Sequence, residues 1–178
     1  GTAVADILFG DYNPSGRLPV TFYKSIDQLP DFEDYSMKNR TYRYIVEAPL
    51  FPFGYGLSYT TYKYSKPVLS AKQINEGETL SVSVKVKNTG TVAGKETVQL
   101  YIGDEKCSLL RPQKELKGFQ KVSLQPGEEK EITFTIKPED LQFFDDRKHE
   151  WVAEPGKFKA YISSSSADTQ NIVEFEYK

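Results

Sequence analysis

"LSVSVKVKN" runs from Leu80 to Asn88. Leu80, Val82, Val84 and Val86 fall on one face of an extended chain, and Ser81, Ser83, Lys85 and Lys87 on the other. Side chains alternate across a strand, so this is the pattern of a half-buried antiparallel strand. The same period continues downstream. "NTGTVAG" (Asn88–Gly94) supplies a turn, and "ETVQLYIGD" (Glu96–Asp104) sends Val98, Leu100 and Ile102 one way. "KELKGFQKVSL" (Lys114–Leu124) is interrupted by Gly118, which predicts a bend or bulge. "QPGEE" turns the chain, and "KEITFTIK" (Lys130–Lys137) alternates Ile132, Phe134 and Ile136 inward. "HEWVAEPGKFKAYIS" places a Pro-Gly turn between two strands, and "NIVEFEYK" closes the sequence.

About seven short strands at turn spacings of about 8–12 residues predict an antiparallel β-sandwich over residues 65–178. The single cysteine, Cys107, excludes the paired cysteines of true immunoglobulin domains. A fibronectin type III-like sandwich fits better, and the protein is predicted to be mainly β.

Residues 1–64 differ in character. In "TAVADILF" (Thr2–Phe9), Ala3 with Ile7 and Val4 with Leu8 form one apolar stripe, and Gly10 is placed to end the helix with positive φ. "DYNPSG" is a turn, and "RLPVTF" (Arg17–Phe22) reads as a short edge strand, since Pro19 removes a ladder donor. A helix, a tight turn and an edge strand make the closing unit of an α/β layer, so residues 1–22 are expected to be the remnant of a larger domain. Residues 23–64 hold much of the tyrosine, with Pro30, Pro49 and Pro52. "RTYRYI" (Arg40–Ile45) is compatible with one short strand. "PLFPFGYGLSYTTYKY" is too aromatic for a floppy linker and reads as an arm lying along neighbouring surfaces.

Composition narrows the classes of function. Hydrophobic residues make up 38% and aromatics 13%, enough for a core. Net charge is -2, with 23 basic and 25 acidic residues, which argues against a nucleic-acid partner. No apolar run approaches the roughly 18 residues of a membrane span.

The motifs as a set resemble the C-terminal region of glycoside hydrolase family 3, β-glucosidase type. "ADILFGDYNPSGRLPVTF" resembles the end of that family's second catalytic α/β domain. "RTYRY" and "PLFPFGYGLSYTTY" resemble its connecting segment. "VSVKVKNTGTVAGKETVQLYI", "RPQKELKGFQKVSLQPGE" and "WVAEPGKFKAYISSSS" resemble its fibronectin type III-like module. The resemblance implies a parent enzyme that is a retaining glycosidase acting on β-linked glucosides or oligosaccharides. In such an enzyme two carboxyl groups about 5–5.5 Å apart serve as nucleophile and acid/base. The family's nucleophile is an aspartate of an N-terminal barrel, and its acid/base is commonly a glutamate of the second domain. No position here matches either motif, so no catalytic residue is carried over, and no cofactor or metal is expected. The implied partners are upstream catalytic domains of the same polypeptide, in a periplasmic or secreted setting, with self-association of the piece as a further expectation. The competing reading is an independent carbohydrate- or protein-binding module.

Asp145 and Asp146 with His149 suggest an acid/base or metal site, but "DDRKHE" reads as a solvated turn. Cys107 beside Lys106 reads as an ordinary thiol rather than a reactive one. Asn39-Arg40-Thr41 is a glycosylation sequon, meaningful in a eukaryotic secretory protein. Tyr42, Tyr44, Phe51, Phe53, Tyr55 and Tyr59 are able to stack on sugars, yet Gly54 and Gly56 favour burial of the arm between domains. Trp151 reads as core.

Overall fold

The computed structural model describes residues 1–178. In chain order its elements are helix α1 (Thr2–Phe9), a 3-10 turn (Ile26–Gln28), helix α2 (Thr41–Tyr44), then strands β1 (Tyr62–Tyr64), β2 (Val68–Leu69), β3 (Gln73–Ile74), β4 (Leu80–Asn88), β5 (Gly94–Asp104), β6 (Glu115–Leu124) and β7 (Glu129–Ile136). Helix α3 (Pro138–Leu141) and strands β8 (Phe143–Asp145), β9 (Glu150–Val152), β10 (Gly156–Ser163) and β11 (Ile172–Tyr177) complete it.

Two sheets face each other. In one, β4 pairs with β1 and β2 along one edge and with β7 along the other. The second has the order β3-β11-β10-β5-β6, antiparallel throughout except for the short β3–β11 contact. The β8–β9 hairpin stands apart. Leu80, Val82, Val84 and Val86 of β4 meet Val98, Leu100 and Ile102 of β5, with Ile132, Phe134 and Ile136 of β7, in one core. The inward phases expected for β4, β5 and β7 are those observed. Gly118 lies where expected too: the β5–β6 register slips between Leu100 and Tyr101, opposite Gly118 and Leu116. The turn after β4 is held by buried Asn88. Its Nδ2 donates to the carbonyls of Val92 and Leu124 at 2.8 and 3.1 Å, and its Oδ1 accepts from the Thr60 hydroxyl at 2.6 Å.

Helix α1 spans the expected residues, and Gly10 ends it at φ 87°. Three expectations fail. "RLPVTF" forms no strand: only an isolated bridge joins Phe22 to Phe51, while Leu18 exchanges backbone bonds with Gly54 and Tyr55. Pro19 and Pro52 remove donors from both sides of this pairing, so a ladder cannot propagate. "RTYRY" turns into α2 instead of extending. Arg40 donates to the carbonyls of Asp31 and Asp34, and the Tyr23 hydroxyl donates to the Asn39 carbonyl and accepts from the Thr41 amide. These bonds hold the chain in a bend, with Met37, Asn39 and Thr41 all at positive φ. Trp151 is 66% exposed, because β9 pairs only with β8 outside the sandwich, and its ring lies edge-to-face with Phe144.

The strand phase has a direct consequence. Val84 is 1% exposed, whereas Lys85 points to solvent. Val84→Asp is expected to cost about 3 kcal/mol or more by burying an unpaired carboxyl. Lys85→Asp should change stability by only about 0.5 kcal/mol. Equal urea midpoints for the two variants would contradict this packing.

Candidate functional site

Strand β5 is buried on both faces, and each face carries buried polar side chains with partners from other segments. Glu96 shares the phase of Val98, Leu100 and Ile102 and so points between the sheets, where it is 2% exposed. Arg17, from the turn after α1, reaches it at 2.6 Å through Nη2. The Tyr64 hydroxyl, from the opposite sheet, donates to its other oxygen at 2.7 Å. Burial pushes the Glu96 carboxyl up, while the Tyr64 and Arg17 hydrogen bonds pull it back only in part. Burial likewise pushes the Tyr64 phenol well above its ordinary range, reinforced by the adjacent carboxylate. Both oxygens of Glu96 are engaged, so the group fastens three segments together at the edge of a cleft of about 420 Å³.

The opposite face of β5 carries the arm. Gln99 Nε2 donates to the carbonyls of Gly54 and Ser164 at 3.1 and 2.6 Å, and its Oε1 accepts from the Tyr101 hydroxyl at 2.6 Å. Gly54 sits at φ 78°, and a β-carbon there would overlap the Gln99 amide, so both space and backbone demand glycine. Tyr42 stacks on Phe53 at 4.4 Å and sets its edge against Tyr101 at 5.8 Å. Its hydroxyl accepts from the Leu116 amide at 2.9 Å. The Phe53 carbonyl accepts from the Ser166 amide. The arm is therefore bonded to β5, β6 and the β10–β11 loop.

Beside this contact lies Lys114, just before β6. It is 8% exposed, and its Nζ has no hydrogen-bond partner. It rests over the rings of Tyr161 at 4.7 Å and Tyr101 at 5.3 Å. Ring faces attract a cation, which allows it to be buried there. Even so, loss of hydration pulls the amine down to about 8.

The candidates singled out in the sequence are scattered. Asp145 is itself buried rather than solvated. It accepts three bonds from Arg147, which hold its carboxyl below the usual range, and the β8–β9 turn closes on it without enlisting Asp146. No group of three or more His, Cys, Asp or Glu side chains stands close enough to hold a metal ion. Burial pushes the Cys107 thiol up, away from thiolate reactivity. Of the six arm aromatics, Tyr42 and Phe53 pack on the sandwich side, and Phe51 stacks on Tyr55 at 5.4 Å while remaining partly exposed. Glu96 and Lys114 were not foreseen. Glu96 did carry a signal, a charge in phase with an apolar row; Lys114 carried none.

Residues 1–59 match the glycosyl hydrolase family 3 C-terminal domain, and residues 96–166 match the fibronectin type III-like domain. A β-glucosidase of Bacteroides ovatus is 55% identical over 99% of the chain. The chain belongs to the C-terminal region of glycoside hydrolase family 3.

A xylan 1,4-β-xylosidase of Xylanibacter ruminicola is 47% identical over 94% of this family 3 chain. The chain spans 26% and 19% of the lengths of these two relatives. Among solved structures, a Listeria innocua β-glucosidase in complex with isofagomine superposes with a TM-score of 0.83 at 36% identity, over 99% of this chain and 26% of that one. The β-D-glucoside glucohydrolase of Trichoderma reesei gives 0.87 at 30% identity, over 100% and 29%. Between them the two matched domains contain Arg17 with its partner Glu96, and Gly54 with its partner Gln99, so both fastenings join one family 3 domain to the other.

Lys114 gives this family 3 chain a specific pH signature. Its folded pKa of about 8 lies below the unfolded value of 10.5, so between those values the unfolded chain holds more protons. Stability from this site therefore rises with pH across that window. The neighbouring Tyr101 phenol is pushed far up by burial and does not titrate there. From pH 8 to pH 10 the wild type should gain about 2 kcal/mol relative to Lys114→Met. Urea denaturation of both proteins across that range checks it, and parallel curves would refute it.

Proposed function

We propose that this chain is the C-terminal structural part of a retaining glycosidase acting on β-linked glucosides, and that its sandwich braces catalytic domains of the same polypeptide. In this reading residues 1–22 end the second catalytic domain, residues 23–64 are the connecting arm, and residues 65–178 are the fibronectin type III-like domain. The carboxylate pair, spaced about 5–5.5 Å for retention of configuration, belongs to polypeptide outside these residues.

One observation carries the reading. Most of the exposed large hydrophobic side chains lie in the first 59 residues, among them Val4, Leu8, Phe9, Phe32, Tyr35 and Leu57, and no residue of that stretch joins the sandwich core. Phe9 is 85% exposed. Apolar side chains exposed in such number along one segment offer it as a contact face. Helix α1, at eight residues, is too short to persist on propensity alone and needs a packing partner on that face. A preceding α/β domain is the occupant that fits, because α1 and the turn after it match the family 3 C-terminal domain. Without that occupant, the same face is open to a second copy of the chain.

The 178-residue chain should turn over no aryl β-glucoside above a mock preparation, whereas a longer polypeptide carrying it should do so. Without a carboxylate pair the rate falls by many orders of magnitude. Turnover by the purified chain would overturn the proposal.

A further inference from the structure

We infer that the chain pairs with a second copy of itself through loop 31–36, each copy seating that loop in a groove of the other. The inference goes beyond the brace proposed above, because it concerns a different surface. The turn after α1 is tied near the start of β5, through Asn13 to the Ala93 carbonyl and Arg17 to Glu96. The arm beside loop 31–36 is tied near the far end of β5. There the Tyr42 hydroxyl accepts from the Leu116 amide, and Leu116 stands in register with Tyr101. Glu96 and Tyr101 are separated by about 17 Å of extended strand. The face of α1 and loop 31–36 are therefore distinct surfaces.

Loop 31–36 holds two aromatic side chains away from the chain's own surface. Asp31 Oδ1 accepts from the Glu33 amide at 3.0 Å, with Phe32 at the apex of that turn. Asp34 Oδ1 accepts from the Ser36 amide at 2.8 Å, with Tyr35 at the apex. Arg40 Nη2 clamps both turns through the carbonyls of Asp31 and Asp34, at 2.9 and 2.7 Å. Phe32 is 88% and Tyr35 84% exposed. A loop already fixed in this way loses little freedom on binding, and aromatic side chains are the usual anchors of an interface.

The groove next to it measures about 450 Å³. Val20, Leu29, Met37 and Phe53 supply apolar lining, and Arg40 and Arg43 stand in its walls. Charge matches loop to groove. The loop carries Asp31, Glu33 and Asp34 and no basic residue, whereas the groove lining holds two arginines and no acidic residue. Bonds from Ser36 hold the Asp34 carboxyl below its usual range, so the loop keeps its charge. Arg43 meets Glu115 at 3.5 Å and still leaves about half of its side chain exposed. The exposure of Phe32 and Tyr35 shows that the loop does not fill the groove of its own chain. Leu29 and Met37 flank the loop in sequence, so knob and groove adjoin on one molecule. A two-fold axis beside them brings each loop to the other copy's groove and closes the assembly at two chains. The occupant is thus specified by the chain itself: an acidic, aromatic loop for an apolar groove walled by arginine.

Sedimentation equilibrium of the 178-residue chain tests the pairing. Two loop-in-groove contacts make a small interface, so dimers with a Kd of about 100 µM are expected. Phe32→Ala removes an anchor, and Val20→Glu sets a carboxylate in the groove against the acidic loop. Each should weaken pairing at least about tenfold. Both side chains are exposed, so the urea midpoints of the two variants should match that of the wild type and separate lost pairing from lost folding. Leu8→Asp, on the face of α1, should leave the Kd unchanged. The inference is overturned by a chain that stays monomeric up to about 1 mM. It is equally overturned by pairing that survives Phe32→Ala or Val20→Glu, or by pairing that Leu8→Asp abolishes, which would place the contact on α1.

Discussion

Burial of β5 on both faces is the constraint on which the rest of the structure depends. A central strand of a sandwich normally gives one face to the core and the other to solvent. Here the second face carries Gln99 and Tyr101, both buried, and their polar groups have to find partners. Gln99 spends its whole amide on the arm, the β10–β11 loop and Tyr101. Glu96, on the inner face, does the same with Arg17 and Tyr64. The first 59 residues are therefore held to the sandwich by directed polar bonds and a few stacked rings, not by a shared hydrophobic core. Removing one partner of such a bond leaves the other buried and unmet, which costs more than the bond itself contributes.

That division explains which parts of the fold were legible in the sequence. Strands β4, β5 and β7 follow period two because their apolar residues face one core, and the alternation of Val82 to Val86 or Ile132 to Ile136 needs no distant information. Helix α1 and its Gly10 stop are local as well. The arm is different. "RTYRY" has the composition of a strand, but its shape is set by Arg40 and Tyr23 bonding to carbonyls and amides of the same loop. "RLPVTF" has strand residues but no uninterrupted partner, since Pro52 faces it. Trp151 has the residue type of a core and sits on a hairpin outside it.

The polar sites divide in the same way. Glu96 was readable in principle, because a carboxylate in step with Val98 and Leu100 must either leave the core or meet a cation. Lys114 was not readable, because its burial depends on Tyr101 and Tyr161 from two strands that approach only in the folded chain. The resemblance to glycoside hydrolase family 3 came from long runs of residues, many of which turn out to be the contacts themselves: Gly54 in "FPFGYG", Arg17 in "PSGRLP" and Glu96 with Gln99 in "ETVQLY". These motifs encode the joint between the two matched domains.

Native-state hydrogen exchange tests the fastening of the arm most directly. The reporters are the amides of Leu18, Gly54 and Ser166, which donate to Tyr55, Leu18 and Phe53. In the wild type they should be protected, with a smaller opening free energy than the amides of β4, because polar bonds and a few stacked rings, not a shared hydrophobic core, hold the arm. In Gln99→Ala the Gly54 and Ser166 amides should lose protection while β4 keeps its own. Unchanged protection of these amides in Gln99→Ala, or loss of arm and sandwich protection together, would contradict the dependence of the arm on the outer face of β5.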